Sequence, residues 1–311
     1  MLLINYFIYN LSMKINRLIV NILKIKVVRE NAKKCEKLVI DDKYHPQLDI
    51  PYIDDGNNHH KFDLYHTPVK KKNCLIIDIH GGSYIFGYRR ENYMFGTVFL
   101  DAGYDFVATD YVANNGKMDT IDLIDQNIKC ICYIVSHLRE LGLDEKTRIA
   151  LVGDSAGGHL ALTIAELFSD KEYQKELGYD LPNINLVGVL INCPVFNYVE
   201  TGLKEMTKGG NKRMFGPNAL DIEDRKKICP KTHFNSLKVP LFASTCKHDF
   251  LRESQSLMLK DTLEHSDIKY QFLDLDTDEK GVGHVHNLLD INLEGSKVVN
   301  NAMIKFIDEL L

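Results

Sequence analysis

From residue 61 onward, short apolar runs alternate with longer segments in which apolar residues recur every three or four positions. The short runs predict buried strands, and the longer segments predict helices with one buried face. This alternation is typical of repeated β-α units, so the predicted fold class is α/β, with a mostly parallel central sheet flanked by helices. The predicted strands are 61–68, 74–82, 103–112, 186–196, 239–245 and 268–275, with one more beginning at 148, and the predicted helices are 119–141, 252–265 and 292–310.

Residues 1–28 are the most apolar part of the chain, yet polar and basic residues recur within them at spacings of three and four. This stripe predicts an amphipathic helix that caps an active site, packs on the domain or makes a weak contact with a membrane surface. We favour a cap or packing. The longest uncharged run, 13 residues, is too short to span a bilayer, and no positive charge precedes it as in a secretory signal. The residues of the stripe are Asn10, Lys14, Arg17, Asn21 and Lys24.

Residues 198–236 are polar and interrupt the alternation of strands and helices. They predict an excursion between two core strands. Ligands of open α/β sheets bind at the carboxyl ends of the strands, so an insertion at this place would overhang a ligand site.

The composition of the chain argues against some classes of partner and site. The chain of 311 residues is 45% hydrophobic and 26% charged, and its net charge of −5 comes from acidic and basic residues mixed along its length. Such a surface offers no basic field for nucleic acid. The seven cysteines form no C-x-x-C pair, and Cys130 and Cys132 would lie on different faces of a helix, which argues against zinc. Free thiols favour a reducing compartment, so we expect a cytoplasmic protein.

The segment 148–159, RIALVGDSAGGH, is where the candidate chemistry begins. It predicts a strand that delivers Ser155 into a sharp turn, followed by a helix. Gly153, Ser155 and Gly157 form the G-x-S-x-G pattern of a nucleophile elbow, in which glycines leave room for a strained strand-to-helix corner.

A serine hydroxyl needs a general base, and the base needs a carboxylate to orient it. Asp249 and His284 follow predicted strands downstream of Ser155, in the order that this kind of site uses. His286 competes with His284 for the role of base, and we prefer His284 because it directly follows a glycine-rich loop. Other acidic residues near a strand end are interpreted as loop charges: Asp274, Asp276 and Asp278.

Attack on a carbonyl carbon creates an oxyanion that N–H groups must stabilise. The backbone of Ala156 is one predicted donor, and the loop His80-Gly81-Gly82-Ser83 is the other source. The aromatic residues after this loop, Tyr84 and Phe86, are predicted to wall a substrate pocket.

Five motifs together resemble the hormone-sensitive-lipase-like branch of the α/β-hydrolases: HGGSYIFG, DY, GDSAGGHLA, HDFL and GHVHN. The resemblance covers roughly residues 60–311. It implies the α/β-hydrolase fold and a carboxylic ester hydrolase with short-chain preference, without a metal or cofactor. It assigns Ser155 as nucleophile, Asp249 as acid and His284 as base, and places the oxyanion among Gly81, Gly82, Ser83 and Ala156. Ser83 stands where the family usually has a third glycine.

The resemblance also implies a helical cap built from the N-terminal segment and the excursion. We therefore expect an N-terminal cap segment at 1–45 and a catalytic domain at 46–311, with a cap insertion near 198–236. The expected partner is a small-molecule ester. A formamidase or other amidase would use the same triad. A non-catalytic ligand-binding relative of the hydrolases is a further alternative, but it would be expected to have lost its histidine.

Overall fold

The computed structural model describes residues 38–202 and 208–311. The predicted amphipathic helix at 1–28 lies outside the described residues, as does most of the segment 1–45. Among the helices that the structure does describe, none combines the length and the apolar character needed to cross a membrane.

Within the described ranges, eight strands form one sheet in the order β1-β2-β4-β3-β5-β6-β7-β8. The pairs β1–β2 and β2–β4 are antiparallel, and the other neighbours are parallel. The predicted α/β class with a mostly parallel sheet is confirmed. The strands are β1 (Gln47–Pro51), β2 (Lys61–Tyr65), β3 (Cys74–Ile79), β4 (Asp105–Thr109), β5 (Arg148–Asp154), β6 (Leu186–Asn192), β7 (Leu241–Cys246) and β8 (Tyr270–Leu275).

Helices follow most of these strands, as repeated β-α units require. The α-helices described are α1 (Tyr93–Asp101), α2 (Thr120–Ser136), α3 (Ala156–Ser169), α4 (Lys171–Glu176), α5 (Lys208–Phe215), α6 (Ile222–Lys227), α7 (Pro230–His233), α8 (Leu257–Glu264), α9 (His286–Leu289) and α10 (Glu294–Asp308). Short 3-10 turns lie at Asp42–Tyr44, Arg89–Asn92 and Phe234–Ser236, and a π-helical turn at Arg252–Ser256 leads into α8.

Two apolar clusters cover the two faces of the sheet. Every residue of β3 is buried, and Ile77 belongs to one cluster whereas its neighbour Ile76 belongs to the other. Side chains of a strand alternate between faces, so the clusters lie on opposite sides. The first cluster includes residues of α2, α3 and α8, and the second includes residues of α1 and α10. The sheet is therefore flanked by helices on both faces.

The excursion 198–236 lies between β6 and β7 and contains α5, α6 and α7. A fully buried arginine of α6, Arg225, donates to the carbonyl oxygens of Tyr198, Thr201 and Ala219. Its guanidinium carbon also lies 4.5 Å from the centre of the Tyr198 ring. All these partners belong to the excursion, so Arg225 stabilises the internal structure of the excursion.

Candidate active site

Ser155 lies at the sharp turn between β5 and α3. Its backbone has φ 52° and ψ −116°, and such a conformation costs a residue other than glycine roughly 1–3 kcal/mol. A Cβ on Gly153 would lie 2.3 Å from the carbonyl oxygen of Gly157, and a Cβ on Gly157 would lie 2.0 Å from that of Ile79. The corner can close only around glycines, and it leaves the serine partly exposed.

Two hydrogen bonds join Ser155 to side chains that follow other strands. His284 Nε2 lies 2.9 Å from Ser155 Oγ, and His284 Nδ1 lies 2.6 Å from Asp249 Oδ1. The carboxylate only accepts, so Nδ1 of a neutral imidazole carries the proton and Nε2 is free to accept from the serine hydroxyl. The structure thus brings together the three residues that the sequence predicts as a triad.

Asp249 is held from several sides. Its Oδ2 accepts from the Thr245 hydroxyl at 2.9 Å, and its Oδ1 accepts from the Leu251 N–H at 3.0 Å. Burial raises the pKa of Asp249, but the hydrogen bond and charge of His284 lower it, as do these two donors, and the net pKa lies below its ordinary value. The side chain therefore stays ionised at neutral pH and fixes the orientation of the imidazole.

His286, the alternative base, is directed elsewhere. It is the first residue of α9, and its Nδ1 lies 2.9 Å from the carbonyl oxygen of Gly283. Burial lowers the pKa of His286. The structure brings His284, and not His286, to Ser155.

The three alternative acids also lie away from the base. Asp274 pairs with Arg252 at 2.6 Å, and Lys247 lies 3.6 Å from Asp276 and 2.9 Å from Asp278. Asp276 and Asp278 make the surface pairs expected of loop charges, whereas Asp274 lies within β8 and is only 28% exposed, so for it the interpretation as a loop charge is wrong.

The predicted oxyanion donors differ in their surroundings. Ala156 is the first residue of α3, where N–H groups have no acceptor within the helix. The Gly81 N–H, in contrast, donates to Asp154 Oδ1 at 2.9 Å. The structure does not support Gly81 as an oxyanion donor, because this bond already uses its N–H. Gly82, Ser83 and Ala156 remain the candidates.

Asp154 was not singled out from the sequence, although it directly precedes Ser155. Asn92 Nδ2 lies 3.2 Å from its Oδ1 and 3.0 Å from Asp78 Oδ2, so one amide bridges two buried carboxyl groups. Burial and the neighbouring charge of Asp154 raise the pKa of Asp78 to about 8. A Cβ on Gly81 would lie 2.3 Å from Asp154 Oδ2, so this contact requires glycine in the loop.

His80 anchors the start of the same loop. Its ring stacks on Tyr111 with centroids 4.3 Å apart, its Nδ1 lies 2.8 Å from the carbonyl oxygen of Gly81, and its Nε2 faces Asp110 at 3.5 Å. Burial lowers the pKa of His80, but Asp110 and the Gly81 carbonyl raise it to about 9. Arg89 Nη1 binds the other oxygen of Asp110 at 2.8 Å. The first residue of the loop thus belongs to a buried network in which the Asp110 carboxylate lies between His80 and Arg89.

The two aromatic residues after the loop have different environments. Tyr84 is 2% exposed, and its hydroxyl lies 3.0 Å from His159 Nδ1. A role as pocket wall is not supported for Tyr84, because other side chains enclose its ring. Phe86 is half-buried and packs beside Gly82, so it remains a candidate. Phe250, which the sequence did not single out, is 40% exposed with its ring centroid 4.1 Å from that of His284.

Within the described residues, Cys193, Asp249 and His284 form the one group of potential metal ligands whose atoms lie within 4.8 Å of one another. The histidine and the aspartate are engaged with each other, and Cys193 Sγ accepts from the Val285 N–H at 3.4 Å. The cysteine therefore supports the segment that carries His284, and this set of contacts needs no metal to explain it.

Comparisons with known proteins bear on the family and the fold of the chain. The model of the family BD-FAE matches residues 62–263. Esterase B from Lactobacillus rhamnosis, solved with a C4-C4 tributyrin phosphonate, superposes with a TM-score of 0.79 at 19% identity, over 95% of this chain and 96% of that one. A search of curated proteins found no match.

Two further structures extend the likeness in fold. Fungal esterases from Rhizomucor miehei superpose with a TM-score of 0.70 at 16% identity, over 92% of this chain and 90% of that one. Esterase LipW from Mycobacterium marinum gives 0.68 at 12% identity, over 96% of this chain and 92% of that one.

Proposed function

Because the chain belongs to the BD-FAE family, an α/β-hydrolase esterase family, we propose that it hydrolyses short-chain carboxylic esters through an acyl-enzyme on Ser155. The observation that carries the proposal is the continuous chain of hydrogen bonds from Asp249 through His284 to Ser155.

In the proposed mechanism, Ser155 Oγ attacks the ester carbonyl carbon while His284 Nε2 takes the hydroxyl proton. The tetrahedral intermediate collapses, and the alcohol leaves with that proton. Water then attacks the acyl-enzyme with His284 again as base, and the carboxylic acid is released. Asp249 remains ionised throughout and stabilises the imidazolium.

We assign the oxyanion to the N–H groups of Gly82, Ser83 and Ala156. Ala156 supports this assignment because it opens α3, whose dipole favours negative charge at its N-terminus. Gly82 and Ser83 follow the Gly81 backbone that Asp154 tethers to the elbow. Loss of one such donor commonly raises the barrier by about 3 kcal/mol.

The proposed preference for short acyl chains draws on two observations. Esterase B, which shares this fold, was solved with a tributyrin phosphonate. In this chain the exposed Phe250 ring beside His284 provides a small apolar surface next to the reacting atoms.

We further infer that residues 1–45 and the insertion near 198–236 form a cap over the catalytic domain at 46–311. The insertion follows β6, which pairs in parallel with the strand that delivers Ser155, so it begins at the same edge of the sheet. A weak membrane contact of the N-terminal segment is the competing assignment. The cysteines described are all unpaired, which fits the cytoplasmic location that we propose.

A panel of p-nitrophenyl esters of rising acyl length, each with its matched anilide, tests the reaction class. We expect turnover of acetate to butyrate esters and far slower turnover of the anilides. Anilide turnover equal to that of the esters would indicate an amidase instead.

A fluorophosphonate probe tests the nucleophile. It should label the protein once, and Ser155→Ala should abolish the labelling without unfolding the chain. Full labelling of that variant would place the nucleophile elsewhere.

A further inference from the structure

Three consecutive residues of the oxyanion loop have positive φ angles: Gly82 at 110°, Ser83 at 53° and Tyr84 at 62°. Glycine tolerates this conformation, but a non-glycine residue there costs on the order of 1 kcal/mol or more. Contacts with the surrounding residues must therefore stabilise this loop conformation. The contacts of Tyr84, the largest side chain of the three, show which residues do so.

Hydrogen bonds hold both the backbone and the side chain of Tyr84. Its carbonyl oxygen accepts from the Asn114 N–H at 2.6 Å, and its hydroxyl lies 3.0 Å from His159 Nδ1. Its ring is buried and makes edge contacts with Tyr198 at 5.9 Å and Phe215 at 5.5 Å between centroids.

His159 lies one helical turn after Ser155 in α3 and is fully buried. Its Nε2 lies 2.7 Å from the carbonyl oxygen of Ile228. A carbonyl only accepts, so Nε2 carries the proton, and Nδ1 must accept from the hydroxyl of Tyr84. Burial lowers the pKa of His159 to about 4, so the ring is neutral and this single arrangement of protons is the stable one.

These contacts connect the two sources of proposed oxyanion donors. Gly82 and Ser83 lie on the loop that ends in Tyr84, whereas Ala156 lies at the start of the helix that carries His159. The far end of the connection, Ile228, belongs to the excursion 198–236. One neutral histidine therefore ties loop, elbow helix and excursion together.

We propose that Tyr84 and His159 are positioning residues, which keep the N–H groups of Gly82 and Ser83 aligned with that of Ala156 through the bonds Tyr84–His159–Ile228. This inference rests on the proposed esterase function. Neither side chain touches the reacting atoms, so both act on the transition state only through the placement of the donors.

Tyr84→Phe tests the inference, with Tyr198→Phe as its matched control. Each variant loses one buried phenol hydroxyl of the same aromatic cluster, since the Tyr198 hydroxyl lies 2.6 Å from Thr120 Oγ1. Only Tyr84→Phe breaks the link to the oxyanion loop. We expect Tyr84→Phe to lower kcat about tenfold or more, with KM changed less than about threefold. Tyr198→Phe should change kcat by less than about threefold.

A short alkyl trifluoromethyl ketone gives a readout that a purely structural role would not move. Its adduct with serine carries an oxyanion, so its inhibition constant should rise for Tyr84→Phe by about the same factor as kcat/KM falls, and stay near wild type for Tyr198→Phe. Assays well below the melting temperature of each variant separate this effect from lost stability.

If Tyr84→Phe fails to fold, two variants of His159 test the positioning role instead. His159→Gln keeps one acceptor and one donor and should retain most of the activity, whereas His159→Leu keeps neither and should lose about tenfold or more. Wild-type kcat in His159→Leu, or equal losses in the two tyrosine variants, would overturn the positioning role alone. A wild-type protein that neither hydrolyses esters nor reacts with a fluorophosphonate would overturn the proposed function, and the positioning role with it.

Discussion

At the scale of single residues, the buried carboxyl groups of Asp78 and Asp154 support the loop that carries the proposed oxyanion donors. The two carboxyl groups share the amide of Asn92, and burial together with the charge of Asp154 raises the pKa of Asp78 to about 8. At neutral pH, Asp78 is therefore mostly protonated and Asp154 can hold the Gly81 N–H without a second negative charge beside it.

This pair predicts how stability depends on pH. Between the ordinary aspartate pKa of 3.8 and about 8, the folded chain keeps a proton on Asp78 that the unfolded chain releases. Stability of the wild type therefore falls as pH rises through this window, by up to about 1.4 kcal/mol per pH unit for one proton. Asp78→Asn removes that slope, so its stability relative to wild type should improve from pH 4 to 8 and level off above.

Urea unfolding at several pH values measures this difference. Asp276→Asn is the control, because that side chain is 87% exposed and its removal should leave the slope unchanged. Curves for Asp78→Asn and wild type that run parallel between pH 4 and 8 would contradict the assignment of a protonated Asp78.

At the scale of elements, the short helix α9 separates the roles of two neighbouring histidines. His284 precedes the helix and faces Ser155, whereas His286 starts it and is bound to the carbonyl of Gly283. His284→Ala should therefore lower kcat by on the order of a thousandfold or more, and His286→Ala should lower it far less.

The pH dependence and melting temperature of the two alanine variants provide the control. His286→Ala should lower the melting temperature because it removes a buried side chain, yet keep the pH profile of the wild type. If His286→Ala proved the more damaging to kcat at equal stability, the base would have to be reassigned.

The sequence predicts the central parallel strands β3, β4, β5 and β7 well because they are buried on both faces and read as apolar runs. It does not reveal β1, whose side chains are half-buried or exposed and whose Asp49 has a φ of 60°. It also misses α1, Tyr93–Asp101, where bulky apolar residues leave no clear polar stripe. The pattern is most informative where burial is regular.

The same distinction applies to the site. Ser155, Asp249 and His284 are recognisable because their chemistry requires certain residue types in a certain order along the chain. The bond from Gly81 to Asp154 and the bond from Tyr84 to His159 join residues more than 70 positions apart through ordinary residue types. No local pattern marks such pairs, so the sequence predicts the loop glycine as an oxyanion donor and the tyrosine as a pocket wall.

For the whole molecule, the prediction concerns the N-terminal segment. We predict that deletion of residues 1–28 changes the acyl-length profile on the ester panel, because an amphipathic helix with an Ile/Leu face needs an apolar surface to cover, and in the proposed cap that surface lies at the active site. Labelling of Ser155 by a fluorophosphonate should persist in the truncated protein.

Liposome flotation of both proteins supplies the comparison. An unchanged ester profile, together with a loss of liposome binding that the full-length chain shows, would replace the cap by a membrane contact through Lys14, Arg17 and Lys24.

The buried Arg225 has a consequence for engineering. Its hydrogen-bond acceptors all come from the insertion that contains it, so the charge and the dipoles that neutralise it would move together if residues 198–236 were grafted onto another scaffold. The recipient would have to replace the hydrogen bonds that leave the insertion. Among its partners would be a histidine one turn beyond the nucleophile that donates to the Ile228 carbonyl, and, at the start of the preceding crossover helix, a hydroxyl for Tyr198 and a carboxylate for Asn218. The described part of the insertion thus carries the compensation of its buried charge within itself, whereas its attachment is distributed over several elements of the catalytic domain.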